Sequence, residues 1–228
     1  MKVKAILLAA GYGKRFGEKK QFLKLKGEPL FQYSLNTINK LDIIEETLLV
    51  LPEEDVDRVR IFSFKPVRKI AGGGERQESV YNALKSISDC DIVIIHDSAR
   101  PFATEDMFLK GIENIKKGYD GSITAIKTVD TIKRFHNDLV IQTLNRDELL
   151  QVQTPQTFVF EKILDAHEYA IKNNIIGTDD AFLMEKRGYK ITFNKGSSFN
   201  IKITTKEDLK LAQCIAGILS SAKKSPFE

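Results

Sequence analysis

The sequence predicts an α/β protein, a three-layer sandwich around a mostly parallel, Rossmann-like central sheet. Short apolar segments of strand length alternate along the chain with longer segments whose apolar residues recur at helical spacing. Residues 3–10 and 91–95 are apolar almost without interruption, as strands buried on both faces of a sheet are. Ligands of such sheets bind outside the carboxyl ends of the strands, so we expect the functional site at that edge.

Each predicted element occupies its own stretch of the chain. The predicted strands of the sheet cover residues 3–10, 47–51, 67–71, 91–95, 122–126, 151–160, 190–194 and 200–203. The predicted helices cover residues 30–41, 80–87, 107–115, 161–172, 179–187 and 206–219. Thr204 or Thr205 has the hydroxyl expected of an N-cap for the last helix.

Residues 127–150 follow a different pattern. Polar and apolar residues alternate over residues 129–135, a turn signal follows at 136–138, and residues 139–144 form a second strand. A two-stranded hairpin on its own is marginally stable in water. We therefore expect a single domain over residues 1–228, with a protruding β-hairpin dimerisation arm at about 127–150 that packs on a second subunit.

The composition is that of an ordinary globular protein and narrows the range of partners. Of the 228 residues, 42% are hydrophobic and 29% are charged, and the net charge is +4. Basic and acidic residues are interleaved, unlike the single-sign stripe of nucleic-acid-binding proteins, and no apolar run approaches the ~20 residues of a membrane span. We expect a cytoplasmic protein without nucleic-acid or membrane partners, in which Cys90 and Cys214 are reduced core residues.

The first candidate site is the loop of residues 9–20, which follows the first strand. Its small residues and glycines let the backbone approach an anion closely, and Lys14, Arg15 and Lys20 add positive charge. The loop matches neither the P-loop nor the dinucleotide fingerprint, whose third glycine is replaced by Phe16. Two interpretations remain open from the residues alone: a phosphate-binding loop, or a β–α turn with solvated basic side chains.

A second candidate site is the glycine triplet of residues 72–74 at the end of a predicted strand. Three glycines leave room for a flat base against the backbone, whose amide and carbonyl groups can then read its hydrogen-bonding edge. Ser79 offers a further polar contact. The alternative is a tight turn followed by an N-capped helix.

Asp97 marks a third candidate site, because a charged residue is unusual at the end of an apolar strand. Its carboxylate can hold Mg²⁺, which prefers oxygen ligands, and Arg100 offers a planar fork that suits a phosphate. An internal Asp97–Arg100 ion pair is the structural alternative. We interpret the neighbouring His96 as a structural residue that holds the loop. Weaker candidates are Arg146, residues 153–156, residues 178–180 and Lys202.

With these groups in order, the sequence closely resembles the 2-C-methyl-D-erythritol 4-phosphate cytidylyltransferases over essentially the whole chain. Several motifs in the correct order are far more specific than any one of them. The motifs that carry the resemblance are Ala9-Ala10-Gly11-Tyr12-Gly13 with Arg15 and Lys20-Gln21, Gly73 with Glu75-Arg76 and Ser79-Val80, His96-Asp97-Ser98-Ala99-Arg100-Pro101, Asp130-Thr131-Ile132-Lys133, Gln153-Thr154-Pro155-Gln156, and Thr178-Asp179.

The resemblance implies a reaction in which CTP and methylerythritol phosphate give the cytidine diphosphate derivative and pyrophosphate, with Mg²⁺ near Asp97. It implies a catalytic pair, Arg15 and Lys20, at the α-phosphate. The nucleotide-binding positions that it implies are Ala9, Ala10, Gly11, Gly13, Lys14, Gly73 and Ser79. The implied acceptor-binding positions are Asp97, Arg100, Thr131, Arg146, Thr178 and Lys202, of which Thr131 and Arg146 match residues that family dimers contribute across their interface.

Two departures from the family pattern are visible, and two other functions stay open. Lys19 stands where the family often has proline, and Leu150 where it often has tryptophan. One alternative is a cytidylyltransferase for another polyol phosphate, such as ribitol 5-phosphate. The other is a nucleotide-binding protein that keeps the fold without catalysis.

Overall fold

The computed structural model describes residues 1–11, 16–17 and 19–222, apart from the side chains of Lys20 and Ala222. The strands in these residues are β1 (Val3–Leu8), β2 (Lys24–Leu25), β3 (Glu28–Pro29), β4 (Ile44–Leu51), β5 (Val67–Ala71), β6 (Ile92–Asp97), β7 (Gly121–Lys127), β8 (Lys133–His136), β9 (Leu139–Thr143), β10 (Leu150–Val159) and β11 (Ile191–Lys195). The α-helices are α1 (Leu30–Asn39), α2 (Arg76–Lys85), α3 (Glu105–Lys116), α4 (Phe160–Lys172), α5 (Asp180–Lys186) and α6 (Lys206–Ala222). Short 3₁₀ helices cover Lys20–Phe22, Glu53–Asp55 and Arg146–Glu148.

Seven strands form one mixed, mostly parallel sheet in the order β11-β7-β10-β6-β1-β4-β5. β10 is antiparallel to both of its neighbours, whereas the other neighbouring pairs are parallel. The chain leaves β1 toward β4 on one side and later returns to β6 on the other, so the strand order reverses between β1 and β6. Leu8 and Asp97 are register partners at the carboxyl ends of these two strands. A crevice is expected at such a reversal, which is where ligands bind in open α/β sheets.

Helices cover both faces of the sheet and complete the predicted three-layer sandwich. In β1 the side chains alternate, so Ile6 and Leu8 pack on the face covered by α2, α4 and α5. Ala5 and Leu7 point to the opposite face, which α1 and α3 cover. This period of two follows from the pleat of a strand that is buried on both sides.

The hairpin of β8 and β9 forms a sheet of its own, separate from the central one. Phe135 and Val140 lie opposite each other in this hairpin, and they are 72% and 66% exposed. At the base of the arm, the Arg146 side chain donates a hydrogen bond to the carbonyl oxygen of Val129 at 2.9 Å and so links the two ends of the arm. The predicted hairpin is confirmed, and it exposes these two apolar side chains.

Two predictions about local structure are wrong. Residues 200–203 do not form a strand; the Ile203 amide donates one hydrogen bond, to the carbonyl oxygen of Ala99, and no ladder continues from it within the described residues. Cys214 is exposed, because it lies on the outward side of α6, and Cys90 is only half-buried. The N-cap of α6 is Thr205, whose hydroxyl accepts from the amide of Asp208 at 3.2 Å.

Among the described residues, no helix combines the length and the apolar character that crossing a bilayer requires.

Candidate active site

A cleft of about 330 Å³ opens at the carboxyl ends of β1, β5 and β6. The structure brings together here the predicted nucleotide-binding residues Ala9, Ala10, Gly11, Gly73 and Ser79. The predicted positions Gly13, Lys14 and Arg15 lie outside the described residues. Lys20 begins the 3₁₀ helix Lys20–Phe22, and its side chain is likewise not described.

Close packing at the floor of this cleft leaves no room for a Cβ atom at Gly72 or Gly73, whereas one on Gly74 would come no nearer than 3.5 Å to Glu78. A Cβ atom on Gly72 would lie 2.4 Å from Cβ of Ala10, and one on Gly73 would lie 2.3 Å from Cγ of Glu78. The Gly73 amide donates to the hydroxyl of Ser79 at 3.0 Å, and that hydroxyl donates to the Glu75 carbonyl oxygen at 3.0 Å. The backbone after β5 can therefore approach Ala10, which follows β1, only because Gly72 lacks a side chain.

A second cleft, of about 390 Å³, adjoins the first. The predicted acceptor-binding residues Asp97, Arg100, Thr178 and Lys202 line it together. The two clefts have Arg76, Asp97 and Lys202 in common. Molecules that occupied both clefts would therefore meet at this cluster of charges.

The carboxylate of Asp97 is the centre of the cluster. Its Oδ2 lies 2.6 Å from Nζ of Lys202, and its Oδ1 lies 3.2 Å from Nε of Arg76. Burial alone would raise the pKa of Asp97, but the charges of Arg76 and Lys202 outweigh burial and hold this pKa well below its usual range. The carboxylate is therefore ionised at neutral pH.

Arg100 is held by backbone oxygens and not by Asp97. Its guanidinium donates to the Asn200 carbonyl oxygen at 2.8 Å and to the Val152 carbonyl oxygen at 3.4 Å. Asn200 is itself fully buried and donates to the carbonyl oxygen of Thr154 at 3.0 Å. The ion-pair alternative considered for Asp97 and Arg100 is thus not what the structure contains, since Asp97 pairs with two other cations.

His96 occupies the structural position that the sequence suggested. Its ring is fully buried, with Nδ1 2.9 Å from the hydroxyl oxygen of Thr154 and Nε2 3.2 Å from the Arg100 carbonyl oxygen. The Arg100 carbonyl oxygen can only accept, so the proton of the neutral ring lies on Nε2 and Nδ1 accepts from the Thr154 hydroxyl. The same hydroxyl oxygen accepts from the Asp97 amide at 3.0 Å. Burial lowers the pKa of His96 to about 4. A neutral His96 connects the end of β6 to the middle of β10.

The sequence interpretation missed His167, gave Arg76 no role of its own, and ranked Asp180 only among the weaker candidates. The Arg76 guanidinium lies 2.8 Å from Oδ2 of Asp180, and Nε2 of His167 lies 3.2 Å from Oδ1 of the same carboxylate. Burial by itself would raise the pKa of Asp180, but the opposing effect of Arg76 and His167 is larger, so this pKa lies below its usual value. The signals available in the sequence were that Arg76 closely follows the glycine triplet and that Asp180 lies in the first turn of a predicted helix. Their contact is not visible in the sequence.

The donor set around Asp97 bears on the expected Mg²⁺. A carboxylate oxygen suits this ion, but no group of three or more His, Cys, Asp and Glu side chains that could hold a metal is found in the described part of the chain. Mg²⁺ is commonly bound by one or two carboxylates together with substrate phosphates and water. Asp97 fits an ion that is held mostly by a nucleotide, and does not fit a site built from protein alone.

Two adjoining clefts at the carboxyl ends of the strands suit the two substrates of a group transfer, and the comparisons with known proteins give the class as a nucleotidyltransferase. The chain belongs to the 2-C-methyl-D-erythritol 4-phosphate cytidylyltransferase family, whose sequence model matches residues 3–217. The resemblance inferred from the motifs is thereby confirmed.

Individual relatives agree over nearly the full chain. The 2-C-methyl-D-erythritol 4-phosphate cytidylyltransferase of Aquifex aeolicus is 46% identical over 213 residues, which are 93% of this chain and 97% of the relative. That of Dictyoglomus thermophilum is 42% identical, over 97% of this chain and 98% of the relative.

Solved structures agree as well. The 4-diphosphocytidyl-2C-methyl-D-erythritol synthase of Anaerococcus prevotii superimposes with a TM-score of 0.83 at 31% identity, covering 95% of this chain and 96% of that one. The 2-C-methyl-D-erythritol 4-phosphate cytidylyltransferase of Thermus thermophilus gives a TM-score of 0.80 at 27% identity, covering 95% of this chain and 100% of that one.

Proposed function

We propose that this protein transfers the cytidylyl group of CTP to 2-C-methyl-D-erythritol 4-phosphate. The products are 4-diphosphocytidyl-2-C-methyl-D-erythritol and pyrophosphate. The observation that carries the proposal is that two clefts, one lined by the glycine loop and one by Arg100 and Thr178, meet at Asp97 in a chain of this family. The proposal includes a cytoplasmic location and a single domain formed by residues 1–228.

The reaction is an in-line displacement at the α-phosphorus of CTP. An oxygen of the acceptor phosphate attacks this phosphorus, the new P–O bond forms, and the bond to the bridging oxygen breaks so that pyrophosphate leaves. The attacking oxygen is already anionic, so the reaction requires no general base. The neutral, buried His96 fits this view, because its ring contacts Thr154 and Arg100 and lines neither cleft within the described chain. Catalysis then consists of positioning and charge neutralisation.

The chain's own residues divide these tasks between the two clefts. Backbone groups of Ala9, Ala10, Gly11 and Gly13, with Lys14, hold the triphosphate, while Gly73 and Ser79 contact the cytosine and ribose. In the second cleft, Arg100, Thr178 and Lys202 hold the acceptor phosphate. Arg15 and Lys20 stabilise the additional negative charge at the α-phosphate in the transition state.

Mg²⁺ is the proposed cofactor, with Asp97 as its protein ligand. When bound, it neutralises charge on the phosphate oxygens and orients the triphosphate. Asp97 also keeps Lys202 and Arg76 in place through its two oxygens. The same carboxylate therefore positions charged groups in both clefts.

We further propose a homodimer formed through the hairpin arm. In the described chain, Thr131 and Arg146 line neither of the two clefts, so any contact with acceptor requires a second subunit. The exposed apolar pair Phe135 and Val140 supplies surface for such a contact.

An acceptor and nucleotide screen tests the proposed reaction. CTP, ATP, GTP and UTP are each offered with methylerythritol phosphate or with ribitol 5-phosphate, with and without Mg²⁺, and pyrophosphate release is followed. We expect release only with CTP, methylerythritol phosphate and Mg²⁺. Faster turnover with ribitol 5-phosphate would establish the alternative acceptor, and absence of release from every pair would support the non-catalytic alternative.

A further inference from the structure

We infer that Arg76 is a positioning residue that sets the acceptor cleft against the nucleotide cleft. It does so by binding Asp97 and Asp180 at the same time. The inference rests on the proposed function, because its consequences are measured on the two substrates of that reaction.

Arg76 is placed where the two clefts and three elements of the fold converge. It is the first residue of α2 and directly follows the loop that contains Gly73. Its Nε lies 3.2 Å from Oδ1 of Asp97 at the end of β6, and its terminal nitrogen lies 2.8 Å from Oδ2 of Asp180 at the start of α5. The Arg76 side chain is 30% exposed, whereas that of Asp180 is only 1% exposed. Arg76 thus faces the clefts, whereas the carboxylate of Asp180 that holds it is buried.

The guanidinium is required because two carboxylates are bound through different nitrogen atoms. A planar fork with five fixed donors can bridge two acceptors, whereas a lysine ammonium is a single point charge on a flexible stem. Lysine at this position would keep the positive charge but hold only one of the two carboxylates firmly.

Asp180 links Arg76 to a residue that lines the acceptor cleft. Its other oxygen is fixed by His167 at 3.2 Å, and its helix is capped by the preceding residue, Asp179, whose side chain accepts from the Phe182 amide at 2.9 Å. Thr178 precedes this cap and lines the acceptor cleft. Loosening the Arg76–Asp180 contact therefore displaces Thr178, while the glycine loop on the nucleotide side keeps its own hydrogen bonds.

Stability alone is a poor explanation for this arrangement. Buried ion pairs often add little net stability, because removing the charges from water costs about as much as their attraction returns. A merely structural Arg76 would, when replaced, lower the melting temperature and affect both substrates alike. A positioning residue affects the acceptor selectively.

The test compares Arg76→Lys, Asp180→Asn and the double variant with wild type in steady-state assays of pyrophosphate release. Arg68→Lys is the matched control: Arg68 also binds a carboxylate, Glu46 at 3.1 Å, and a backbone carbonyl oxygen, that of Ser86 at 2.7 Å, but it lines neither described cleft. We expect each single variant to raise KM for the acceptor about tenfold or more, with KM for CTP changed by less than about threefold. The double variant should resemble the worse single variant, since both remove one interaction.

Three results would overturn the inference. The first is that Arg76→Lys and Arg68→Lys show the same kinetics. The second is that the Arg76 and Asp180 variants lose affinity for both substrates equally. The third is that the effects of the two single changes multiply in the double variant. If Arg76→Lys fails to fold, the isosteric Asp180→Asn, which keeps Arg76, must show the acceptor-selective change by itself. Wild-type turnover separates the two proposals: its absence contradicts the proposed function, whereas normal wild-type turnover with an unaffected Asp180→Asn contradicts only the role of Arg76.

Discussion

The ammonium group of Lys202 lies 2.6 Å from Oδ2 of Asp97 and joins the segment before α6 to the carboxyl end of β6. Arg76 binds the other oxygen of the same carboxylate at 3.2 Å. One carboxylate thus orients two cations that line both clefts, and its removal should disturb both substrates.

Replacing Asp97 with asparagine keeps the shape of the side chain but removes its charge. Lys202 and Arg76 then lose their common partner, and the proposed Mg²⁺ loses its protein ligand. We expect kcat/KM to fall by about 10² or more, in the range found when groups that stabilise a transition state are removed. Asp165→Asn is the control, because Asp165 pairs with Arg187 at 2.8 Å in an exposed position and lines neither described cleft. Activity of Asp97→Asn within about threefold of wild type would refute this central role.

The proposed catalytic pair is tested by Arg15→Ala and Lys20→Ala. Each change removes a cation that stabilises the α-phosphate only in the transition state, so kcat should fall about 10²–10³-fold while KM for CTP changes little. Single-turnover measurement of pyrophosphate release isolates this step from product release. Survival of turnover within about threefold in either variant would mean that the pair is assigned wrongly.

Gly72→Ala tests the close packing beneath the nucleotide cleft. The new Cβ would lie 2.4 Å from Cβ of Ala10 and 3.0 Å from Oγ of Ser79, so the loop after β5 must shift. We expect KM for CTP to rise about tenfold and the free energy of unfolding to fall by about 1–3 kcal/mol, as overpacking usually costs. Gly217→Ala is the control, since a Cβ there meets nothing within 4 Å and alanine favours the helix. A CTP affinity unchanged in Gly72→Ala would contradict the prediction.

The buried His96 predicts a pH dependence of stability. Burial lowers its pKa from 6.5 to about 4, so between these values the unfolded chain binds a proton that the folded chain does not. The free energy of unfolding must therefore decrease as pH falls through this window, by about 3 kcal/mol from this residue.

Urea denaturation at several pH values measures this contribution. His96→Asn should lose that part of the pH dependence, whereas His136→Asn, in the exposed hairpin, should keep it. Equal slopes for wild type and His96→Asn between about pH 4 and 6.5 would show that His96 is not held neutral.

The arm predicts a dimer that depends on its apolar surface. Phe135→Ser with Val140→Ser removes the exposed pair on β8 and β9 and should convert the dimer to monomer in sedimentation velocity experiments. Activity should fall at least about tenfold if Thr131 and Arg146 act in the partner subunit. Ile176→Ser is the control, because Ile176 is 87% exposed outside the arm. A monomeric wild type, or a dimeric double variant, would exclude the arm as the interface.

Much of the fold was predictable because its signals are local. The apolar runs that became β1 and β6 and the helical spacing that became α1 each lie within a single segment, and the hairpin was visible from its alternation and its turn. The prediction of a strand at residues 200–203 was wrong because a local signal does not show whether a pairing partner is present. Residues 200–203 alternate polar side chains with two isoleucines, which is the local pattern of a strand. A strand also needs a neighbour to pair with, and within the described residues Ile203 has one backbone partner, Ala99.

The sequence by itself determined which chemical groups are available and the order in which they occur: the glycines after β1 and β5, the acid that ends β6, and the motifs of the family. Only the tertiary structure decided which of them touch. Asp97 and Arg100 are close in sequence, yet Asp97 pairs with Lys202 and Arg76, and Arg76 continues to Asp180. The physical reason is that strand order, and not sequence distance, brings carboxyl ends to one edge, where each buried carboxylate takes the cations that the fold places within hydrogen-bonding distance.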